Sequence, residues 1–384
     1  MTDSTPFIPE TPAELTPAWL NDVLAERLGD NQVTAVAQTV LGEGEGFVGD
    51  IIRLSLTYAR ESAQLPERIV AKMPKLANRA MGELLGAYER ENMFYMTLGQ
   101  DLPVQSPALY YGEFDRDAAS EKQEEILRKA NRIPRVLQGL TTRLAWFIAA
   151  RKKRRYILLM EDVGRATACD QLRGVERAEL RQILTDVARL HAAYWQSPRL
   201  KGQFWLLPLD VDIEMRHQMM LRARPAFEGL FADTVAAGMD RYLDEVAERG
   251  ADYSHALCAA PVTLMHGDLH LDNLFFRDDE TLFIDWQLVR RGPAMYDIAY
   301  LLSCAVTDNL SAQDLVEHYQ AALADCGVTD YSDSDAYRDY RLALKVVLMI
   351  LAAVDQVDLG DGRGGGLLRV WMQRLLQRLE ADPL

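Results

Sequence analysis

The stretch Leu264-Met265-His266-Gly267-Asp268-Leu269-His270-Leu271-Asp272-Asn273, followed by Phe283-Ile284-Asp285-Trp286, constrains this chain more than any other. Apolar runs at Val262 to Met265 and Leu282 to Ile284 read as strands, with the polar Asp278-Asp279-Glu280 as a turn between them. That turn lets Asn273 and Asp285 face one point. Asp268 and Asn273 have Asp-x-x-x-x-Asn spacing, in which a carboxylate can take a hydroxyl proton while an amide oxygen behind it ligates Mg²⁺. With Asp285 on the returning strand, the set suits hard cations bridging polyphosphate oxygens. The expected chemistry is metal-assisted phosphoryl transfer.

Upstream, Val33 to Leu41 and Asp50 to Tyr58 read as paired strands, because Ile52, Leu54, Leu56 and Tyr58 alternate with Arg53, Ser55 and Thr57. Between them Gly44-Glu45-Gly46-Phe47-Val48-Gly49 matches Gly-x-Gly-x-x-Gly. A dinucleotide fingerprint must open a helix, whereas these glycines open a strand, so a Rossmann fold is rejected. A strand-loop-strand glycine turn instead lays backbone N–H groups over phosphates, although Glu43 and Glu45 add charge of the wrong sign. A third strand, Arg68 to Met73, carries Lys72 in an apolar run, and a long helix is expected from Asn78 to Leu98. Strands at Ala108 to Tyr111 and Tyr156 to Met160 complete a five-stranded antiparallel sheet. A helix is also expected from Pro12 to Leu28, capped by Thr11.

Beyond Val163 the pattern is helical apart from the hairpin. Helices are expected over Glu176 to Trp195, Asp212 to Arg224, Phe231 to Arg249, Ala312 to Asp325, Asp335 to Val357 and Leu367 to Leu379. His191 continues an apolar helix face, as a hydrogen-bonded core histidine does.

A net charge of −15 disfavours nonspecific nucleic-acid binding, which depends on clustered Lys and Arg. Cys169, Cys258, Cys304 and Cys326 show no disulfide or zinc spacing, so reduced thiols and a cytoplasmic setting are expected. The longest apolar run, Val346 to Val354, is too short to span a bilayer.

These residues resemble the aminoglycoside phosphotransferase and choline kinase superfamily, whose loop reads His-Gly-Asp-x-x-x-x-Asn and whose metal aspartate lies in an Ile-Asp-Trp context. The ecdysteroid-kinase-like branch is the nearest in pattern, and the resemblance runs from about Leu41 to about Leu302. It implies an α+β, protein-kinase-like fold of two lobes. Residues 1–162 would form the nucleotide-binding lobe and 163–384 a helical catalytic and acceptor-binding lobe. It further implies ATP or GTP and Mg²⁺, with Asp268 as base and Asn273 and Asp285 on the metal. Gly44, Gly46, Gly49 and Lys72 would hold phosphates, and Glu91 would orient Lys72, with Glu83 and Glu89 as competitors. Met160, Glu161 and Val163 would form the hinge against the base, and Asp297 would tie the metal loop to the next helix. The acceptor is a small hydroxylated molecule; aminoglycosides, choline-like alcohols, sterol alcohols and hydroxyacyl-CoA thioesters all remain open. A noncatalytic nucleotide-binding pseudokinase and a protein kinase are the alternatives, the latter disfavoured because no Ala-Pro-Glu element follows Asp285.

One stretch departs from the pattern. Glu113 to Arg155 is far longer than a hairpin needs, and no acidic residue occurs from Arg128 to Arg155. Leu137, Leu140, Leu144 and Phe147 fall at helical spacing there, which predicts an amphipathic helix packed on the small lobe. Its charges would face an anionic surface, such as an acidic patch of a second subunit in a homodimer or a phosphate of a large substrate.

Overall fold

The computed structural model describes residues 7–41, 49–231, 238–305, 311–353 and 365–384. The chain divides into two units. The first holds residues 1–101, 106–117 and 145–166, and the second 102–105, 118–144 and 167–384.

The first unit is built on an antiparallel sheet of β1 (Val33–Leu41), β2 (Gly49–Tyr58), β3 (Arg68–Pro74), β4 (Leu109–Phe114) and β5 (Tyr156–Glu161). Their order is β1-β2-β3-β5-β4. Alternation sends Ile52, Leu54, Leu56, Ile69, Ala71, Met73, Ile157 and Leu159 to one face, where they pack with Leu15, Leu20, Leu24 and Leu28. Lys72 lies between Ala71 and Met73 and so projects to the opposite face.

The N-terminal segment is not one helix. A 3-10 turn, Pro12–Glu14, is followed by helices Pro17–Val23 and Ala25–Leu28. Pro17 offers no N–H to a preceding turn and starts a new helix, capped by Thr16 Oγ1, which accepts from Trp19 N at 3.2 Å. The helix after β3 is likewise broken, into Arg79–Leu85 and Ala87–Met96, by Gly86 at φ +65°. The chain folds back so tightly that a Cβ on Gly82 would lie 2.3 Å from the Tyr88 ring.

A single guanidinium spans this break. Arg154 Nη2 lies 2.8 Å from Glu83 Oε2 and Nη1 lies 2.6 Å from Glu89 Oε2. Tyr156 Oη adds a hydrogen bond, donated to Glu83 Oε1 at 3.0 Å. Burial, followed by the charge of Glu83, raises the Tyr156 pKa and keeps its hydroxyl a donor. Arg155 pairs with Asp115 at 2.8 Å and Lys152 with Asp117 at 2.9 Å. These ends of the basic stretch are thus occupied within their own unit.

The second unit carries a short β6 (Thr167–Ala168), a pair formed by β7 (Val262–Met265) and β10 (Arg290–Pro293), and a hairpin of β8 (Leu274–Arg277) and β9 (Glu280–Phe283). Helices Arg177–Ala193, Ile213–Phe231, Met239–Leu257, Met295–Cys304, Ala312–Asp325, Asp333–Leu351 and Gly365–Ala381 surround them. Helix Ile213–Phe231 runs through Pro225, and the helix expected from Phe231 begins instead at Met239. No described helix is long and apolar enough to cross a membrane.

The basic stretch forms helices Gln123–Asn131 and Arg135–Ala149. The first is tied to the helical unit: Arg128 pairs with Asp210 at 3.2 Å, and Asn131 Oδ1 accepts from Glu214 N at 2.8 Å. The second does not bury its leucines. Leu137, Leu140, Leu144 and Phe147 are exposed, Leu140 by 63%. Their spacing is helical, as expected, but no core meets it.

Replacing Arg154 by Met should therefore leave Glu83 and Glu89 without their shared guanidinium and lower stability by about 3–5 kcal/mol. Denaturant unfolding followed by circular dichroism checks this, and a loss under about 1 kcal/mol would count against the staple.

Candidate active site

The catalytic-loop candidate is built between β7 and β8. At its start Gly267 has φ +82°, and a Cβ there would lie 2.1 Å from the Leu288 carbonyl oxygen, so only glycine fits. Asp297, fully buried on helix Met295–Cys304, fixes the turn from beneath. Its Oδ2 accepts from His266 N at 2.6 Å and its Oδ1 from Gly267 N at 3.0 Å. His191 Nε2 stands 3.3 Å from the same Oδ2, while its Nδ1 is 2.8 Å from Tyr319 Oη. Burial, then the charge of Asp297, pushes the Tyr319 pKa well up and keeps that hydroxyl protonated. Asp297 thus has the scaffold position expected of it, and His191 that of a bonded core histidine.

His266 is buried, and that burial lowers its pKa despite nearby Asp297. The neutral ring has one consistent tautomer: Nε2–H donates to the Ile284 carbonyl at 2.9 Å, and Nδ1 faces Asp268 N at 3.4 Å. The ring packs against Trp286, with centroids 4.6 Å apart. Asp272 is a loop anchor, its Oδ1 accepting from Gln171 N at 2.9 Å.

The β8–β9 hairpin closes through Asp278 and Asp279, at φ +50° and +62°, between the paired Arg277 and Glu280. Two consecutive left-handed residues are the signature of a tight primed turn. Its register, Leu274 opposite Phe283, continues into a bond from Ile284 N to the Asn273 carbonyl at 3.0 Å. Asn273 and the residue before Asp285 are thereby clamped side by side. The Asn273 amide nitrogen donates to the Asp268 carbonyl at 3.0 Å, which turns its Oδ1 the other way. Asp285 adopts φ +61°, a left-handed conformation uncommon outside glycine.

An amide oxygen and a carboxylate make a hard donor pair of the kind that holds Mg²⁺ together with substrate phosphates and water. Among the described residues no group of three or more His, Cys, Asp and Glu could form a metal cage.

Asp268 has neighbours that the motif did not disclose. Tyr300 Oη donates to Asp268 Oδ1 at 2.8 Å, and His270 Nε2 lies 3.8 Å from Oδ2. Trp371, from helix Gly365–Ala381, packs on Tyr300 at 5.0 Å and on His270 at 5.8 Å. Tyr300 follows Asp297 by one helical turn, so the i, i+3 spacing was the available signal. Trp371 had none.

In the first unit, Lys72 Nζ lies 2.8 Å from Glu91 Oε1, and both are largely buried. Of the candidate carboxylates, Glu83 and Glu89 are instead taken by Arg154. Gly49 opens β2, and a Cβ on it would meet Lys72 Cε and the Met73 carbonyl oxygen, each at 3.2 Å. Gly44 and Gly46 lie outside the described residues. Met160 and Glu161 end β5, with Val163 just beyond, and Glu161 Oε2 accepts from Ala108 N at 3.2 Å. Asp162 pairs with Arg53 at 2.7 Å. Hydrogen bonding and charge from Arg53 outweigh its burial and hold its carboxyl below the usual range.

The family model described as the ecdysteroid kinase-like family matches residues 120–328. Methylthioribose kinase from Bacillus pumilus is 31% identical over 102 residues, covering 27% of this chain and 23% of that protein. The match thus spans less than a quarter of that curated relative. Among solved structures, choline kinase from Cryptosporidium parvum superposes with TM-score 0.49 at 10% identity, over 96% of this chain and 94% of that one. An aminoglycoside phosphotransferase from Streptomyces rimosus, in complex with ADP and streptomycin, gives TM-score 0.43 at 20% identity, over 86% and 97%.

If Lys72 and Glu91 act as one unit, Lys72→Met and Glu91→Gln should each destabilise the chain. The double variant should lose less than the sum, by about 1 kcal/mol or more. Additive losses in denaturant titrations would show that the pair is not coupled.

Proposed function

This chain belongs to the ecdysteroid kinase-like family, and we propose on that premise that it transfers the γ-phosphoryl group of ATP or GTP to a hydroxyl of a small molecule. The observation that carries this reading is the clamp between Asn273 and Ile284, which brings an amide and the Asp285 turn together behind Asp268. Phosphoryl transfer asks a protein mainly for position and charge.

Asp268 orients the acceptor hydroxyl and takes its proton. Asn273 and Asp285 are the residues that would hold Mg²⁺, which supplies neutralising charge to the phosphate oxygens. Lys72, steadied by Glu91, adds a second positive charge at the phosphates. Gly44, Gly46 and Gly49 are the glycines assigned to the phosphates, and Met160, Glu161 and Val163 the residues assigned to the base. Residues 1–162 act as the nucleotide lobe and 163–384 as the lobe for catalysis and acceptor. Burial pushes the thiols of Cys169 and Cys304 up to about 12, which suits packing residues that take no part in the reaction. The partial match to methylthioribose kinase supports a small acceptor over a protein one.

The unaltered chain should hydrolyse or transfer γ-phosphate only with a divalent cation, and a chelator should stop it. Asp285→Ala should lose metal-dependent turnover. Asp268→Asn should keep nucleotide affinity but lose about 10²–10⁴-fold in rate, since it removes a group that acts at the transition state. Full activity of either variant with a metabolite panel and labelled ATP would overturn its assignment. Labelling of proteins but no metabolite would favour a protein kinase. Binding without any turnover would favour a pseudokinase.

A further inference from the structure

We propose that Tyr300 is a positioning residue that makes Asp268 a one-sided base, with Oδ1 tied down and Oδ2 left for the acceptor hydroxyl. The proposal rests on the reading of Asp268 as the base.

The Tyr300 hydroxyl donates to Asp268 Oδ1 at 2.8 Å. Burial, then the charge of Asp268, raises the Tyr300 pKa well above its ordinary value, so this hydroxyl remains a donor. A carboxylate oxygen already accepting from a fixed phenol is the poorer proton acceptor of the two. Among the described residues, Asn273 Nδ2 lies 3.5 Å and His270 Nε2 3.8 Å from Oδ2, at or beyond hydrogen-bond range. Oδ2 is therefore the oxygen open to an incoming O–H group.

The donor is aimed, not free to turn. Ser303 Oγ donates to the Tyr300 carbonyl at 2.7 Å and accepts from Trp371 Nε1 at 2.8 Å. The Tyr300 ring meets Trp371 edge-on at 5.0 Å and Tyr296 at 5.7 Å. A buried tyrosine needing only a partner for its hydroxyl could use any acceptor in the core, but this one uses the carboxylate in the reacting position.

The acceptor oxygen forms its bond to the γ-phosphorus as that phosphorus leaves the bridging oxygen of the nucleoside diphosphate, which keeps the electron pair. The acceptor O–H bond breaks, and its proton moves to Asp268 Oδ2. Tyr300 exchanges no proton; it holds the carboxylate plane so that Oδ2 points at the hydroxyl.

The test uses Mg·ATP hydrolysis with water as the acceptor, read with labelled ATP, together with ADP binding by calorimetry. The full chain is compared with Tyr300→Phe, Asp268→Asn and the double variant. Tyr300→Phe should slow hydrolysis about ten- to a hundredfold while leaving ADP affinity within about twofold. In the Asp268→Asn background the same change should have no further effect, because both act through one proton transfer. Loss of ADP binding in Tyr300→Phe would show a merely structural role and overturn the proposal, as would additive effects in the double variant. Slowed Asp268→Asn beside unchanged Tyr300→Phe would defeat this inference alone. Undiminished hydrolysis by Asp268→Asn would defeat the reading of the base itself.

Discussion

The carboxylate of Asp297 is the contact on which the candidate active site depends. It is buried, it accepts the backbone N–H groups of His266 and Gly267, and His191 braces it. Those two N–H groups have turned away from any strand ladder because Gly267 takes a left-handed turn. Without an acceptor they would each carry the full desolvation penalty of a buried donor, about 1–3 kcal/mol. The same anchor sets the direction of Asp268 one residue later, and helix Met295–Cys304 brings Tyr300 to that carboxylate from the next turn. The position of the Asp268 carboxylate is thus inherited from the helix beneath it.

A comparable economy holds the other unit. The Lys72 and Glu91 pair is only as well placed as the segment carrying Glu91, and that segment is interrupted at Gly86. Arg154 grips a carboxylate on each side of the interruption, which fixes the angle of Ala87–Met96 by charge where continuous helix would have fixed it by backbone bonds. Such buried, fully paired ions specify geometry more than they add stability.

The hairpin of the candidate site was legible because the chemistry proposed for it depends on residue types at fixed local spacing: Asp268, Asn273 and Asp285, with polar residues at the turn. Strand β1 and helix Ala312–Asp325 have the expected ranges to the residue, and in the structure the Ser311 side chain caps the helix by accepting from Asp314 N. What could not be read was tertiary. The family resemblance singled out Glu91, which does pair with Lys72, but why Glu89 does not compete is tertiary: it is held by Arg154, 65 residues away in sequence. Gly86 and Pro17 interrupt patterns whose apolar periodicity runs straight through them. The leucines of Arg135–Ala149 have the spacing of a core face, yet spacing cannot say whether a core lies opposite.

The left-handed backbone of Asp285 carries a further consequence. A non-glycine residue there stores strain of about 1 kcal/mol or more, which glycine would release. Selection for robustness alone would favour glycine at this position; on the proposed reading, it is service to a metal that retains the carboxylate. Position 285 is therefore a marker of use: a descendant of this chain that no longer needed its reaction would be expected to lose Asp285 early, and to fold the better for it.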